Sequence, residues 1–246
     1  MPNTKVSLED LVTDAMNQSA ADVDAKLLKK YQKLVGAILF CVTTVRPDAA
    51  YAAGMLARAM SKPTEVLYQH AIRLLQYLYT TRELGIYYSR NVDFKLSGMS
   101  DSDWQVRCST SGYAFFLANA VISFLSKKQP VISMCSTQTE IYAASLAALE
   151  ACFLTAFADI VAGKKVSPIR IGVDNKGAVD MSHNFKSNSN VRHFERRQLK
   201  VRELVERAIV DVYQIGTADN VSDIFTKALG RKLFEKHRKV LLNLPS

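Results

Sequence analysis

Four acidic residues stand where a sheet and its helices could bring their carboxylates to one point. They are Asp101 and Asp174, which each follow a predicted strand, and Glu140 and Asp223, which each begin a predicted helix. Carboxylates supply the oxygen ligands and the negative charge that hold hard divalent ions. Two such ions about 3.5–4 Å apart support in-line hydrolysis of a phosphodiester, because one activates the attacking water and the other stabilises the leaving oxygen. The four acids therefore predict a two-metal site.

Each acid also has a purely structural explanation. Thr137 and Glu140 have the spacing of a capping box, in which the glutamate binds a backbone N–H at the helix start. Asp101 fits a solvated turn, and Asp174 fits a turn between a strand and a helix. Asp223 fits the favourable interaction of an acid with a helix N-terminus. The metal hypothesis rests on the four together, in order, on one scaffold.

That scaffold is a predicted βββαβαβα order from about residue 92 onward, an α/β fold with a mixed sheet and flanking helices. Alternation in VDFKLSGMS predicts the first strand, with Val92, Phe94 and Leu96 on one face and GIYYS as its partner. The remaining segments are the hairpin runs 113–117 and 121–125, the helix 140–162, the strand SPIRIGV, the charged helix NVRHFERRQLKVRELVERA, the strand IVDVYQI and the helical region opened by NVSDIFTKAL.

The N-terminal part predicts packed helices without a catalytic acid. Residues 31–79 form three apolar-periodic segments, broken at RPD and at Lys62-Pro63. Thr64 is the expected N-cap of the third segment. Its apolar stripe consists of Leu67, Ala71, Leu74, Leu75 and Leu78. Ser7 is expected to cap a short helix that ends near Asn17.

Composition indicates a folded intracellular protein with a polyanionic partner. The chain carries 32 Lys and Arg against 23 Asp and Glu, a net charge of +9, which favours nucleic acid. Its four cysteines lack CxxC spacing and so predict reduced thiols. The N-terminus lacks the pattern of a secretory signal, and charged residues and a proline interrupt the most apolar stretch, which predicts no membrane span. The expected location is cytoplasmic or nuclear.

Collinear motifs along the chain resemble a known family. The motifs are TTVRPDAAYA, LARAMSKPT, SDSDW, STSGYAFFL, AVISFLSKKQP, STQTEIYAASLAALEA, VDNKGAV, VRHFERR and ADNVSDIFTKAL. Between about residues 31 and 240 the sequence is similar to the C-terminal part of the Pol polyprotein of Ty/copia-type LTR retrotransposons. The resemblance implies an N-terminal extension at 1–30, a helical remnant of the reverse transcriptase thumb or connection at 31–90, and a ribonuclease H-like domain at 91–246.

The resemblance assigns catalytic and metal-ligating roles to the same four acids. Asp101 matches the leading acid of the family's DADW motif, and Glu140 matches the glutamate at the start of a helix. Asp174 matches the aspartate of its DN motif, and Asp223 that of its ADI.TK motif. Asp103 is expected to be structural or supporting. The implied cofactor is two Mg²⁺ (or Mn²⁺) ions, and the implied reaction is hydrolysis of the RNA strand of an RNA/DNA hybrid.

Basic residues are the candidates for contacts to the hybrid's phosphates. They are Lys127, Lys128, Arg192, His193, Arg196 and Arg197. A solvated helix face is the alternative for these residues, and a surface position is the commoner one for His193. A separate reverse transcriptase region is a further expected partner, whereas the sequence does not specify an oligomeric state.

The sequence departs from the family in two respects. Gln105-Val106-Arg107 replaces the family's Ala-Gly-Asp after DADW, which changes the charge of the loop. The chain also contains no Tyr-x-Asp-Asp motif, so no polymerase activity is expected. The alternatives to a ribonuclease H are a non-catalytic nucleic-acid-binding or relic fragment and an integrase-like or resolvase-like nuclease on the same fold.

Overall fold

The structure is a computed structural model that describes residues 7–19, 23–90, 93–104, 109–130, 132–133, 135–184 and 200–245. The chain divides into two compact units, Met1–Gly85 and Ile86–Ser246. The first unit is helical, and the second contains the sheet. The predicted change from a helical to a strand-forming region is therefore confirmed.

Four α-helices form the described part of the first unit. They are α1 (Leu8–Asn17), α2 (Ala25–Val45), α3 (Ala50–Arg58) and α4 (Glu65–Thr80). The predicted caps are confirmed, since the Ser7 hydroxyl accepts from the Asp10 N–H at 3.1 Å and the Thr64 hydroxyl accepts from the Leu67 N–H at 3.2 Å. Leu75 departs from its predicted buried position and is 43% exposed, because it lies at the margin of the α4 stripe.

A buried ion pair holds the break between α2 and α3. Arg46 donates through Nε and Nη2 to the two carboxylate oxygens of Asp48, both at 2.9 Å. The Tyr77 hydroxyl donates to Asp48 at 2.5 Å, and Arg46 also donates to the Thr81 carbonyl at 3.0 Å. Because these buried charges have several partners, the pair stabilises the ends of the helices it joins. The Asp48 side chain therefore has a structural role.

Five strands form the sheet of the second unit in the order β3-β2-β1-β4-β5. The strands are β1 (Ser97–Asp103), β2 (Thr110–Leu117), β3 (Ala120–Lys128), β4 (Ile169–Val173) and β5 (Val210–Gln214). The first three pair antiparallel, whereas β4 pairs parallel with both β1 and β5. The predicted hairpin turn is confirmed at Ala118 and Asn119, which both adopt positive φ.

Helices flank this sheet in the predicted order. They are α5 (Ser136–Ala162), α6 (Lys176–His183), α7 (Lys200–Glu206) and α8 (Arg231–Leu242). The predicted βββαβαβα order is confirmed, with both α6 and α7 between β4 and β5 in the part of the chain that the structure describes. Residues 190–199, the first half of the predicted charged helix, lie outside the described residues, and α7 falls in its second half.

One predicted strand is absent, and the positions of Asp101 and Asp223 in their elements differ from the prediction. GIYYS is not a strand, because its backbone makes isolated bonds, such as Tyr87 N–H to the Leu242 carbonyl at 3.0 Å, in place of a ladder. Strand β1 begins at Ser97 and not near residue 92, so Asp101 lies within the strand instead of after it. Asp223 lies in a separate 3₁₀ helix, Val221–Phe225, before α8 begins.

Helix α5 supplies much of the core beneath the sheet. Its buried face is rich in alanine, which allows close approach to β1 and β2. Among the described helices, α5 is the one whose length and apolar composition would suffice for a membrane span. A core helix commonly has the same composition, and α5 packs on the sheet with Glu140 buried.

Gly112 of β2 allows the 3₁₀ helix to lie directly on the sheet. In the register, Gly112 is opposite Asp101 on one side and Ser126 on the other. A Cβ at Gly112 would lie 2.7 Å from the Phe225 Cβ and 2.9 Å from the Thr226 Cγ2, closer than packed carbon atoms approach. The missing side chain therefore brings the segment with Asp223 against the strand pair that contains Asp101.

We predict that Gly112→Ala destabilises the second unit by about 1–3 kcal/mol, because the added methyl group overpacks this contact. The melting temperature should fall by about 2–4 °C for each kcal/mol, measured by thermal denaturation. Gly216→Ala is the matched control, since the nearest atom to its added Cβ is 3.7 Å away. Equal melting of the two variants would show that the segment does not depend on Gly112.

Candidate active site

Three acids converge at the ends of β1 and β4 and the start of α5. Asp101 lies in β1, Glu140 is the fifth residue of α5, and Asp174 directly follows β4. One oxygen of each carboxylate lies within 4.8 Å of the others. Asp101 and Glu140 are buried, and Asp174 is half-buried. The structure therefore brings together three of the four predicted acids as one group, which we call the acid cluster.

Glu140 is held by the backbone of β1. Its Oε1 accepts from the Ser102 N–H at 3.3 Å, whereas its buried Oε2 has no hydrogen-bond partner. The capping-box alternative is wrong, because α5 begins after Cys135 and Glu140 lies a full turn inside the helix. Its side chain therefore faces the acid cluster with one oxygen bound to protein and the other available to a ligand.

Asp223 lies beside the acid cluster without being part of it. Its side chain is buried, and its Oδ1 forms an ion pair with Lys227 Nζ at 3.0 Å. The same Nζ is 3.8 Å from Asp101 Oδ2. The hydroxyl of Thr226 also donates to Asp101 Oδ2. Asp101 and Asp223 are therefore connected through a lysine.

Hydrogen bonds between distant parts of the chain fix these elements. The Asn220 amide donates to the Ser100 carbonyl at 2.9 Å, which attaches the segment before Asp223 to β1. The Ser102 hydroxyl donates to the Thr139 hydroxyl at 2.8 Å, which attaches β1 to α5. Gln129 donates to the Thr139 carbonyl at 3.1 Å and so ties the same helix to the end of β3. Asp101 and Glu140 thus stand next to anchored residues, and Asp223 follows one three positions later.

Burial and mutual repulsion raise the pKa of two of the carboxyls. Burial raises the pKa of Asp101 to about 7, and the charge of Asp223 adds to this shift, while Lys227 and Thr226 oppose it. Burial likewise raises the pKa of Glu140 to about 9, with contributions from the charges of Asp101 and Asp174. Full ionisation of the acid cluster is therefore unfavourable unless a further cation binds there.

The donor set fits a hard divalent cation. Mg²⁺ binds carboxylate oxygens at about 2.0–2.1 Å, so opposite ligands lie roughly 4.2 Å apart, which is compatible with acid-cluster oxygens that all lie within 4.8 Å of one another. The unpartnered Oε2 of Glu140 would gain a ligand there. Asp101, Glu140 and Asp174 are the residues that would hold such an ion.

Asp103 and Trp104, which follow Asp101 in the sequence, bind backbone groups outside the acid cluster. Asp103 accepts from the Thr110 N–H across the β1–β2 pair, which agrees with its predicted structural role. Trp104 is 57% exposed, and its indole N–H donates to the Ser133 carbonyl at 3.3 Å. The loop substitution Gln105-Val106-Arg107 lies outside the described residues.

The predicted phosphate-binding residues divide into two groups. Lys127 and Lys128 are exposed at the end of β3. In the register, Lys128 is opposite Thr110, which in turn is opposite Asp103, so the two lysines lie about 10 Å, or two strand spacings, from the end of β1. The other four, Arg192, His193, Arg196 and Arg197, lie outside the described residues and stay predictions from sequence.

Lys227 and Thr226 are residues of the site that were not predicted from the sequence. Both belong to the TK pair that follows Asp223, and a lysine four residues after an aspartate is a spacing at which the two charges meet. That spacing could have identified the Asp223–Lys227 pair. It could not have identified the contacts to Asp101, which is more than a hundred residues away.

The mixed five-stranded sheet and its flanking helices form a ribonuclease H-like fold. A solved structure of the N-terminal RNase H domain of a Mycobacterium tuberculosis protein is similar to it, with a TM-score of 0.42 and 12% identity, over 60% of this chain and 98% of that one. No protein-family model matches the chain.

Sequence relatives identify the family. The chain is 30% identical over 210 residues to the retrovirus-related Pol polyprotein from transposon RE1 of Arabidopsis thaliana, which covers 84% of this chain and 14% of the polyprotein. It is also 40% identical over 129 residues to secreted RxLR effector protein 161 of Plasmopara viticola, over 51% of this chain and 91% of that protein. Over most of its length the chain is homologous to Ty/copia-type retrotransposon Pol polyproteins, and it spans 14% of the RE1 polyprotein.

We predict that Glu140→Gln stabilises the chain in the presence of a chelator. In the folded chain the pKa of Glu140 is about 9 against an ordinary value of 4.5. The folded chain therefore holds more protons than the unfolded chain between these two pH values, and its stability falls as the pH rises through that window. Glutamine keeps an acceptor for the Ser102 N–H and removes the charge.

The measurement is thermal denaturation in EDTA from pH 5 to pH 9. The melting-temperature advantage of Glu140→Gln should be small at the acid end and should grow with pH. Mg²⁺ should stabilise wild type more than the variant, because it binds the ionised acid cluster. Glu206→Gln, at the exposed end of α7, is the control. A pH-independent difference would contradict the repulsion described above.

Proposed function

We propose that the chain is a metal-dependent endoribonuclease that hydrolyses the RNA strand of RNA/DNA hybrids by two-metal-ion catalysis. The observation that carries the proposal is the acid cluster of Asp101, Glu140 and Asp174, in which one buried glutamate oxygen has no protein partner. Buried carboxylates are costly unless a cation or a proton compensates them. A divalent ion compensates them and also supplies phosphodiester chemistry.

The protein groups have distinct tasks in this reaction. Bound divalent ions would polarise the scissile phosphate, lower the pKa of a water and stabilise the leaving oxygen. The acid cluster holds and orients the ligands, with Glu140 fixed by the Ser102 N–H and Asp101 by the Thr226 hydroxyl. Asp223 would complete a second site together with Asp101. The sheet and α5 keep these ligands in place during the reaction.

The substrate side of the proposal rests on charge. The net charge of +9 favours a polyanion, and Lys127 and Lys128 lie within about two strand spacings of the end of β1. The basic residues of VRHFERR would add phosphate contacts. Recognition of a hybrid over duplex DNA requires contact with 2′-hydroxyl groups in a wide minor groove.

The family relationship supports an intracellular place of action. Because the chain spans 14% of the RE1 polyprotein, a separate reverse transcriptase region is a proposed partner. That region would produce the hybrid, and this chain would remove its RNA strand.

We predict that Asp174→Asn keeps the fold and most of the hybrid binding but lowers the cleavage rate at least about 100-fold. The amide preserves the shape of the side chain and removes charge that retains the metal, and even residues behind the ligands typically contribute about 10–100-fold. The assay is Mg²⁺- or Mn²⁺-dependent cutting of labelled RNA in a hybrid. Asp180→Asn, on the exposed side of α6, is the matched control.

Binding and cutting separate this proposal from its alternatives. Hybrid affinity should fall as salt rises, since phosphate contacts release counterions, but a non-catalytic binding module would show the same dependence. Wild type that binds hybrid and cuts nothing in Mg²⁺ or Mn²⁺ would establish the binding-module or relic alternative. Cutting of duplex DNA in preference to hybrid would favour the integrase-like or resolvase-like alternative.

We also predict that the purified chain gives no primer extension with template and nucleotides. The sequence has no Tyr-x-Asp-Asp motif, and Asp48 of the helical unit is engaged by Arg46 and Tyr77. Extension products that disappear on Asp174→Asn would show instead that the acid cluster serves polymerisation.

A further inference from the structure

Lys227 is a cation placed between two of the four carboxylates. Its Nζ lies 3.0 Å from Asp223 Oδ1 and 3.8 Å from Asp101 Oδ2. Its side chain is 38% exposed, whereas the side chains of both acids are 2% exposed. The ammonium group therefore reaches two buried carboxylates from the side of the solvent.

Asp101 takes part in two groups of charges. It belongs to the acid cluster with Glu140 and Asp174, and it also faces Lys227 together with Asp223. Two catalytic ions about 3.5–4 Å apart are held by ligands on both sides of such a shared residue. The Lys227 and Thr226 contacts fall on the same oxygen, Oδ2, so neither engages the Oδ1 of Asp101.

We infer that Lys227 holds the place of the second cation in the free chain, an inference that rests on the proposed two-metal function. Its ammonium keeps Asp101 and Asp223 together, and the free chain binds one divalent ion at the acid cluster. A second ion competes with the ammonium for the same two carboxylates, because like charges repel. Binding of that ion requires the Lys227 side chain to move away, and its partly exposed, flexible stem permits this movement.

The first test counts the ions bound by the full chain in the absence of nucleic acid. Mn²⁺ is titrated calorimetrically into wild type and into Lys227→Met, which has similar length and no charge. Wild type should bind one ion over the titrated range and the variant two, because any second ion should bind wild type at least about tenfold more weakly, against the competing charge. Lys227→Arg should behave as wild type. Lys232→Met, at an exposed position of α8, controls for the change in net charge.

The second test measures thermal stability with EDTA and with Mn²⁺. Lys227→Met should melt below wild type in EDTA, because Asp101 and Asp223 lose their counter-ion, and Mn²⁺ should raise its melting temperature more than that of wild type. Identical Mn²⁺ stoichiometry and affinity in wild type and Lys227→Met would overturn the inference. So would a Lys227→Met chain that stays unfolded in Mn²⁺, because a bound cation should replace the lost charge.

The failure of this inference is distinguishable from the failure of the proposed function. Wild type that cuts hybrid but binds two Mn²⁺ ions in its free form would refute the role of Lys227 and leave the nuclease proposal intact. Wild type that binds no Mn²⁺ and cuts nothing would refute the proposed function itself.

Discussion

Repulsion between buried carboxylates is the constraint on which the second unit depends. Asp101, Glu140 and Asp174 present oxygens within 4.8 Å of one another, and burial strengthens their mutual repulsion. Burial is the largest cause of the raised pKa values of Asp101 and Glu140, and the charges of neighbouring acids add to both shifts. A fold stabilises such a group only if its strands and helices are anchored independently of the charges.

Neutral groups near Asp101, Glu140 and Asp223 form hydrogen bonds that anchor the strand and helices carrying these acids. Ser102 binds Glu140 through its N–H and Thr139 through its hydroxyl, so one residue of β1 fixes both the Glu140 side chain and the helix that carries it. Asn220 attaches the 3₁₀ helix to β1 through the Ser100 carbonyl. These hydrogen bonds join neutral groups or a backbone N–H to their partners, so they do not depend on an ion pair.

The second constraint is steric and acts through Gly112. Strand β2 admits the 3₁₀ helix only because residue 112 has no side chain, and this contact brings Asp223, Thr226 and Lys227 to Asp101. The position of the charged residues in this segment therefore depends on the missing side chain at residue 112. The glycine of STSGYAFFL belongs to the construction of the site although it has no chemistry of its own.

The sequence alone predicted the features that depend on local patterns. The hairpin, the strand and helix order, the helical N-terminal unit and the Thr64 cap follow from alternation, periodicity and capping chemistry within a few residues. The ends of parallel strands meet at one edge of a sheet, so the convergence of Asp101 and Asp174 could also be anticipated. GIYYS was predicted wrongly as a strand because its β-branched and aromatic residues fit a strand without determining whether a partner strand is available.

Only the tertiary structure decided which acids form the acid cluster and which cation lies next to their charges. It placed Asp223 outside the acid cluster, left Glu140 Oε2 without a protein partner, and set Lys227 between Asp223 and Asp101. These contacts join residues separated by as many as 126 positions, as the Asp101–Lys227 pair shows. Residue types and local spacing determine which elements form and which side chains can bind a metal. The distances between charges on different elements are set by packing, which depends on the whole chain at once.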